Sequence, residues 1–143
     1  MADAGTNLDD LHMSGRLILS VSAGILFLCG GAALFAADEV GRMIDPAPSP
    51  ALPLVVQLAA TGLLGFSILN WMSRGSRIGG IYSRPIGIAN LFLFTTAALT
   101  FGKAVAAEKL PASAAGLCII FSALAFSFAW LLFVHDPLSG DPA

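Results

Sequence analysis

Three arginines, two asparagines and two aromatic rings crowd one stretch of this chain, running from Asn70-Trp71 through Arg74, Arg77 and Tyr82 to Arg84-Pro85 and Asn90. Guanidiniums present planar forks of donors, and with glycine amides and ring edges they could cradle a phospholipid headgroup or another anionic group. The candidate headgroup or partner contacts are therefore Asn70, Trp71, Arg74, Arg77, Tyr82, Arg84 and Asn90. A simpler reading uses the same residues as a basic loop that sets topology, an aromatic belt, and two asparagines that pin a hairpin. A buried carboxamide needs partners, so Asn70 and Asn90 are expected to face each other across the hairpin. Gly75, Gly79 and Gly80 permit tight turning. The loop carries no Walker pattern and its glycines follow no strand, so a nucleotide phosphate has no support here.

Other chemistry is thinner. Cys29 and Cys118 lie inside apolar runs without a CxxC or metal-ligand spacing, and small buried packing residues are their simplest use. Redox chemistry between them is a third, weaker reading. His12 and His135 fall near one face, but at or beyond the ends of the apolar runs, where haem or quinone ligation would not place them. His135-Asp136-Pro137 looks instead like a helix terminus. No Ser-His-acid or paired-carboxylate arrangement is readable. The sequence thus assigns no catalytic residue, no metal ligand and no cofactor, and reads against an enzyme.

The elements that must position these residues are four long apolar runs, at about 17–37, 52–73, 85–106 and 110–134. About 20 apolar residues of helix cross a bilayer, and backbone in lipid must bond internally, so the runs predict membrane-spanning helices. Hydrophobic residues make up 57% of the chain and charged residues 11%, which a soluble domain of this length could not reconcile with a polar surface. The expected fold is all-α: a polytopic transmembrane four-helix bundle of up-down topology. Residues 1–15 form a polar arm, 16–135 the bundle and 136–143 a polar tail. The first run is longer than the apolar core of a signal peptide, and Asp9 and Asp10 stand where a basic region should be, so it is expected to remain as a span.

Arg16, Arg74, Arg77 and Arg84 fall on one side, against Arg42, Lys103 and Lys109 on the other. That bias predicts cytoplasmic N- and C-termini in a plasma (bacterial inner) membrane. Trp71, Tyr82 and Trp130 would settle at the same headgroup level. In the first link, Val40, Met43 and Ile44 have the spacing of a helical turn lying in the interface, and Asp38 and Glu39 could attract a cation; the simpler reading is a solvated loop with a local Glu39–Arg42 pair. The following Asp45-Pro46-Ala47-Pro48-Ser49-Pro50 predicts an extended connector of polyproline II character.

The loop pattern Asn70, Trp71, Ser73 and Arg74, then Gly80 to Arg84 and Pro85, then Asn90, resembles that of small four-span bacterial membrane proteins of unassigned function. The resemblance covers roughly a seventh of the chain. It implies a membrane-embedded four-helix unit and transfers no catalytic residue.

The span centres hold no ionisable residue, and ion or proton paths usually need them. Gln57, Thr61, Ser67, Thr95, Thr96, Thr100, Ser122 and Ser127 supply neutral polarity, for helix-to-helix bonding or a narrow polar path. Small residues permit close helix approach, among them Gly24, Gly65, Ala98, Gly102 and Gly116. Phe92, Phe94, Phe101, Phe121, Phe126, Phe128 and Phe133 mark the second hairpin as the expected partner- or lipid-facing half. The leading expectation is a non-catalytic accessory, assembly or scaffold subunit of a larger membrane complex, or one that self-associates. The alternative is a small binding or transport protein for a lipid, quinone or other apolar ligand, its polar end held by the arginine loop. A net charge of −2 offers nothing to nucleic acid.

Overall fold

The computed structural model describes residues 3–75, 83–110 and 112–133, with side chains except those of 3–13, 83 and 113. Among the described residues the chain is all-helical. Its α-helices are α1 (Asp3–Phe35), α2 (Ala37–Ile44), α3 (Leu52–Ser73), α4 (Ser83–Ala106) and α5 (Ala115–Phe133), with a 3-10 turn at Ala112–Ala114 before α5. Four segments are long and apolar enough to cross a membrane: Ser14–Phe35, Leu52–Ser73, Arg84–Ala106 and Ala115–Phe133. The protein is a membrane helical bundle of four spans. The last span is shorter than expected, because Leu110 and Ala112–Ala114 belong to the turn and not to the helix. The first span ends at Phe35, not at residue 37, since Ala37 already opens α2.

The spans associate as two antiparallel pairs, α1 with α3 and α4 with α5; α1 touches α5, and α3 touches α4, far less. Between α1 and α3 the seam is made of small residues. A Cβ added at Gly30 would lie 3.0 Å from Leu64 Cγ, 3.1 Å from the Ala60 carbonyl oxygen and 3.1 Å from Leu63 Cβ. Only a missing side chain lets the two backbones come this near.

Between α4 and α5 the seam is aromatic along its middle, with Leu132 against Gly87 and Cys118 against Gly102 on either side. The Phe94 and Phe128 rings stack with centroids 5.7 Å apart, Phe94 and Phe121 lie at 6.0 Å, and Phe101 and Phe121 at 5.8 Å. Such pairs contribute about 0.5–1.5 kcal/mol each beyond burial. Leu19 and Leu26 of α1 complete this core with Ala98 and Leu124. The expectation that the phenylalanines as a group face outward is corrected. Phe94, Phe121 and Phe128 are buried and Phe101 is half-buried, while Phe92, Phe126 and Phe133 are exposed. Rings seven residues apart, as Phe94 and Phe101 or Phe121 and Phe128 are, fall on one helix face and those two apart do not, so the set divides.

The first link also departs from expectation. The helical turn is present as α2, but the proline segment bends instead of extending. The Ala47 amide donates to the Asp45 carboxylate at 3.0 Å and the Leu52 amide to the Ser49 carbonyl at 3.0 Å, closing the chain back onto α3. The α4 helix ends in a Schellman arrangement: Lys109 N–H donates to the Ala104 carbonyl at 2.9 Å and Glu108 N–H to that of Val105 at 3.0 Å. Glu108 takes the left-handed φ of 55° that this stop requires.

Candidate functional site

The ends of α3 and α4 that flank residues 74–83 carry the candidate site, and its innermost part is a polar knot. Asn70 lies one turn inside the end of α3, and Asn90 two turns into α4. Their carboxamides bond reciprocally, each Nδ2 donating to the other's Oδ1 at 2.7 Å. The second N–H of Asn70 donates to Ser22 Oγ of α1 at 3.0 Å, and that of Asn90 to the Ile86 carbonyl at 2.9 Å. Because the Ile86 carbonyl only accepts, it fixes which end of the Asn90 amide is nitrogen, and the reciprocal pair then fixes Asn70. Ser22 donates its own proton to the Leu19 carbonyl at 3.0 Å. One turn deeper, Ser67 of α3 donates to the Ala23 carbonyl of α1 at 2.8 Å.

Every N–H of both carboxamides therefore has a partner, and Asn70, Asn90 and Ser22 are wholly buried. The expected face-to-face asparagines are present. They are placed to join three helices, and a headgroup could reach them only by breaking bonds already made. Sequence reasoning missed Ser22. Its signal was its register: Ser22 shares the inward face of α1 with Leu19 and Leu26.

Outside the knot the site changes character. Trp71 is 52% exposed, and the Arg74 guanidinium carbon sits 3.3 Å from the centre of its ring. The pair arises because residues three apart on the last turn of α3 share a face. A cation over an exposed indole is worth about 0.5–1 kcal/mol, and an arginine at a helix C-terminus also complements the helix dipole. Arg84 is exposed at the first turn of α4. Arg77 and Tyr82 lie outside the described residues, as do His135 and the side chain of His12. Trp130, 37% exposed near the end of α5, falls at the same end of the bundle as Trp71, the placement an aromatic belt requires.

Among the described residues, several other hydroxyls within the spans bond locally. Thr61, Thr100 and Ser127 each donate to the carbonyl four residues back, at 2.9, 2.8 and 2.8 Å. Their hydroxyls are satisfied within their own helices and join neither a polar path nor a neighbouring helix. Cys29 and Cys118 are unbridged; Cys29 packs against the core, and the Cys118 thiol donates to the Ala98 carbonyl at 3.4 Å. Among the described residues no group of three or more His, Cys, Asp or Glu is placed to hold a metal ion.

No protein-family model, curated protein or solved structure matches this chain. Function must therefore be argued from the bundle itself.

Proposed function

We propose that this chain is a non-catalytic integral membrane subunit that assembles or scaffolds a larger complex through the lipid-facing sides of its spans. The observation that carries the reading is the contrast between inside and outside. The buried polar groups of the knot are bonded to one another or to backbone, whereas Gly24, Gly62 and Gly65 stand exposed, and an added Cβ at each would meet nothing within 4 Å. Small residues that serve no internal contact leave backbone accessible to another helix, and close backbone approach is what associates helices in lipid. The arginine distribution supports an orientation with both termini in the cytoplasm, and the membrane we propose is the plasma (bacterial inner) membrane.

The stacked Arg74 and Trp71 favour a second reading, in which this end of the bundle holds the anionic headgroup of a lipid or the polar end of another apolar ligand. One experiment separates the two. Native mass spectrometry of the protein released from its own membrane in a gentle detergent should show a stoichiometric protein partner or a second copy. That species should disappear in a Gly62→Leu/Gly65→Leu variant. A monomer carrying a retained lipid, lost in an Arg74→Ala/Arg84→Ala variant, would replace the first reading with the second.

A further inference from the structure

The helix α2 joins two spans, and its residues divide cleanly around its circumference. Asp38, Arg42 and Glu39 occupy one arc and are exposed. Met43, Val40, Ile44, Ala37 and Gly41 occupy the rest. At a helical period this is a continuous apolar face opposite a continuous charged one. The two small members, Ala37 and Gly41, are buried. Gly41 sits against the start of α3, where an added Cβ would stand 3.8 Å from Leu52 Cγ and 3.9 Å from Pro53 Cγ. This contact fixes how α2 is rolled. It leaves the large members outside, with Met43 68% and Ile44 52% exposed.

We propose that α2 lies in the lipid surface, between headgroups and acyl chains, in the leaflet opposite the end of α3, with Met43 and Ile44 among the upper acyl segments. Three observations carry this. The α1 span ends at Phe35 and the α3 span begins at Leu52, so α2 is tethered at both ends to the membrane boundary. The span ends that flank α2 carry exposed apolar side chains of their own, Phe35 two residues before it at 90% and Leu54 near the start of α3 at 66%. The charged arc points away from the apolar face of α2, as an interfacial helix buried about 5–10 Å into the headgroup boundary requires. Two carboxylates against one guanidinium give that arc no attraction for anionic lipid, so apolar contact is what holds it. A lipid monolayer is therefore the occupant, and it does not depend on any protein partner of the spans.

The test is tryptophan fluorescence in nanodiscs of phosphatidylcholine brominated either high or low on the acyl chain. It is read as the difference from the unmutated protein, whose Trp71 and Trp130 lie at the other end of the bundle. The added indole in the Met43→Trp and Ile44→Trp variants should emit to the blue, be shielded from aqueous acrylamide, and be quenched most by bromine high on the chain. The Glu39→Trp variant should emit as in water and be quenched by acrylamide. Replacing part of the lipid with phosphatidylglycerol should leave the pattern unchanged. Equal acrylamide quenching at positions 39, 43 and 44 would overturn the proposal. So would shielding from acrylamide without quenching by either bromolipid, which would mean that protein covers the face.

Discussion

Along α1 and α3 the contact is made by Gly30, Ala60, Ala23 and Ser67, whereas α4 and α5 meet through Phe94, Phe101, Phe121 and Phe128. One pair is closed by the missing side chain at Gly30; the other is filled by rings, with Leu132 and Cys118 seated over Gly87 and Gly102, where an added Cβ would lie 2.8 Å from Leu132 Cδ2 and 3.3 Å from Cys118 Sγ. Lipid tails are as apolar as any core residue, so burial alone gives neither seam an advantage, and each depends on packing quality. The two pairs then have little else in common except the core leucines of α1 and the Ser22–Asn70–Asn90 knot. The lesson is that bonding specificity sits where the two pairs meet, and the pairs themselves are held by shape.

Breaking the aromatic seam should have the largest effect. Phe94 is wholly buried and touches two other rings. A Phe94→Ala variant leaves a cavity, and should lose stability approaching, though staying below, the roughly 3–5 kcal/mol seen for such truncations in soluble cores. The reduction follows because a lipid-solvated reference state removes much of the transfer term. Reversible unfolding in mixed micelles measures it, and a loss under about 0.5 kcal/mol would refute the importance given to the rings.

Two glycines of α1, one in the small-residue seam and one outside it, should respond with opposite signs. At Gly30, alanine gains about 1 kcal/mol of helix propensity but meets the Ala60 carbonyl and Leu63 Cβ, both fixed by backbone. Overpacking of this kind typically costs about 1–3 kcal/mol, so Gly30→Ala should destabilise. At Gly24 nothing stands within 4 Å, and Gly24→Ala should stabilise or leave the unfolding midpoint unchanged. Equal shifts in the same assay would show that the seam is not tight.

The smallest effect is expected at the knot, where it is also the most diagnostic. Asn90→Leu leaves Asn70 buried with an unanswered carbonyl and one unpaired N–H. Interhelical hydrogen bonds in lipid average about 0.6 and reach about 1.7 kcal/mol, which bounds the loss. The Asn70→Leu/Asn90→Leu variant removes both partners, and should be less destabilised than the sum of the single variants. Simple additivity in that cycle would mean the carboxamides act independently.

The sharpest contrast in legibility lies between α2 and the spans. At α2 the charged and apolar residues separate around the helix, so the spacing of Val40, Met43 and Ile44 marked a turn, although a solvated loop fitted the same residues. Within the spans both the inner and the outer faces are apolar, and hydrophobicity cannot say which phenylalanine turns inward. That is why Phe94 and Phe92, equal in the sequence, end at 0% and 74% exposure. Asn70 and Asn90 escaped this ambiguity, because carboxamides flanking one short loop have few partners other than each other. Ser22 did not, since a serine in lipid can bond to its own helix as readily as to a neighbour.

By itself the sequence determined the class, the four spans and the paired asparagines of the hairpin. These follow from hydropathy summed along the chain and from the need of buried polar groups for partners. Only the tertiary structure decided that Ser22 completes the knot, that Gly30 and not Gly24 closes a seam, and that Phe94, Phe121 and Phe128 form the core. In a membrane those choices depend on shape at contact, which no one-dimensional pattern of apolar residues encodes.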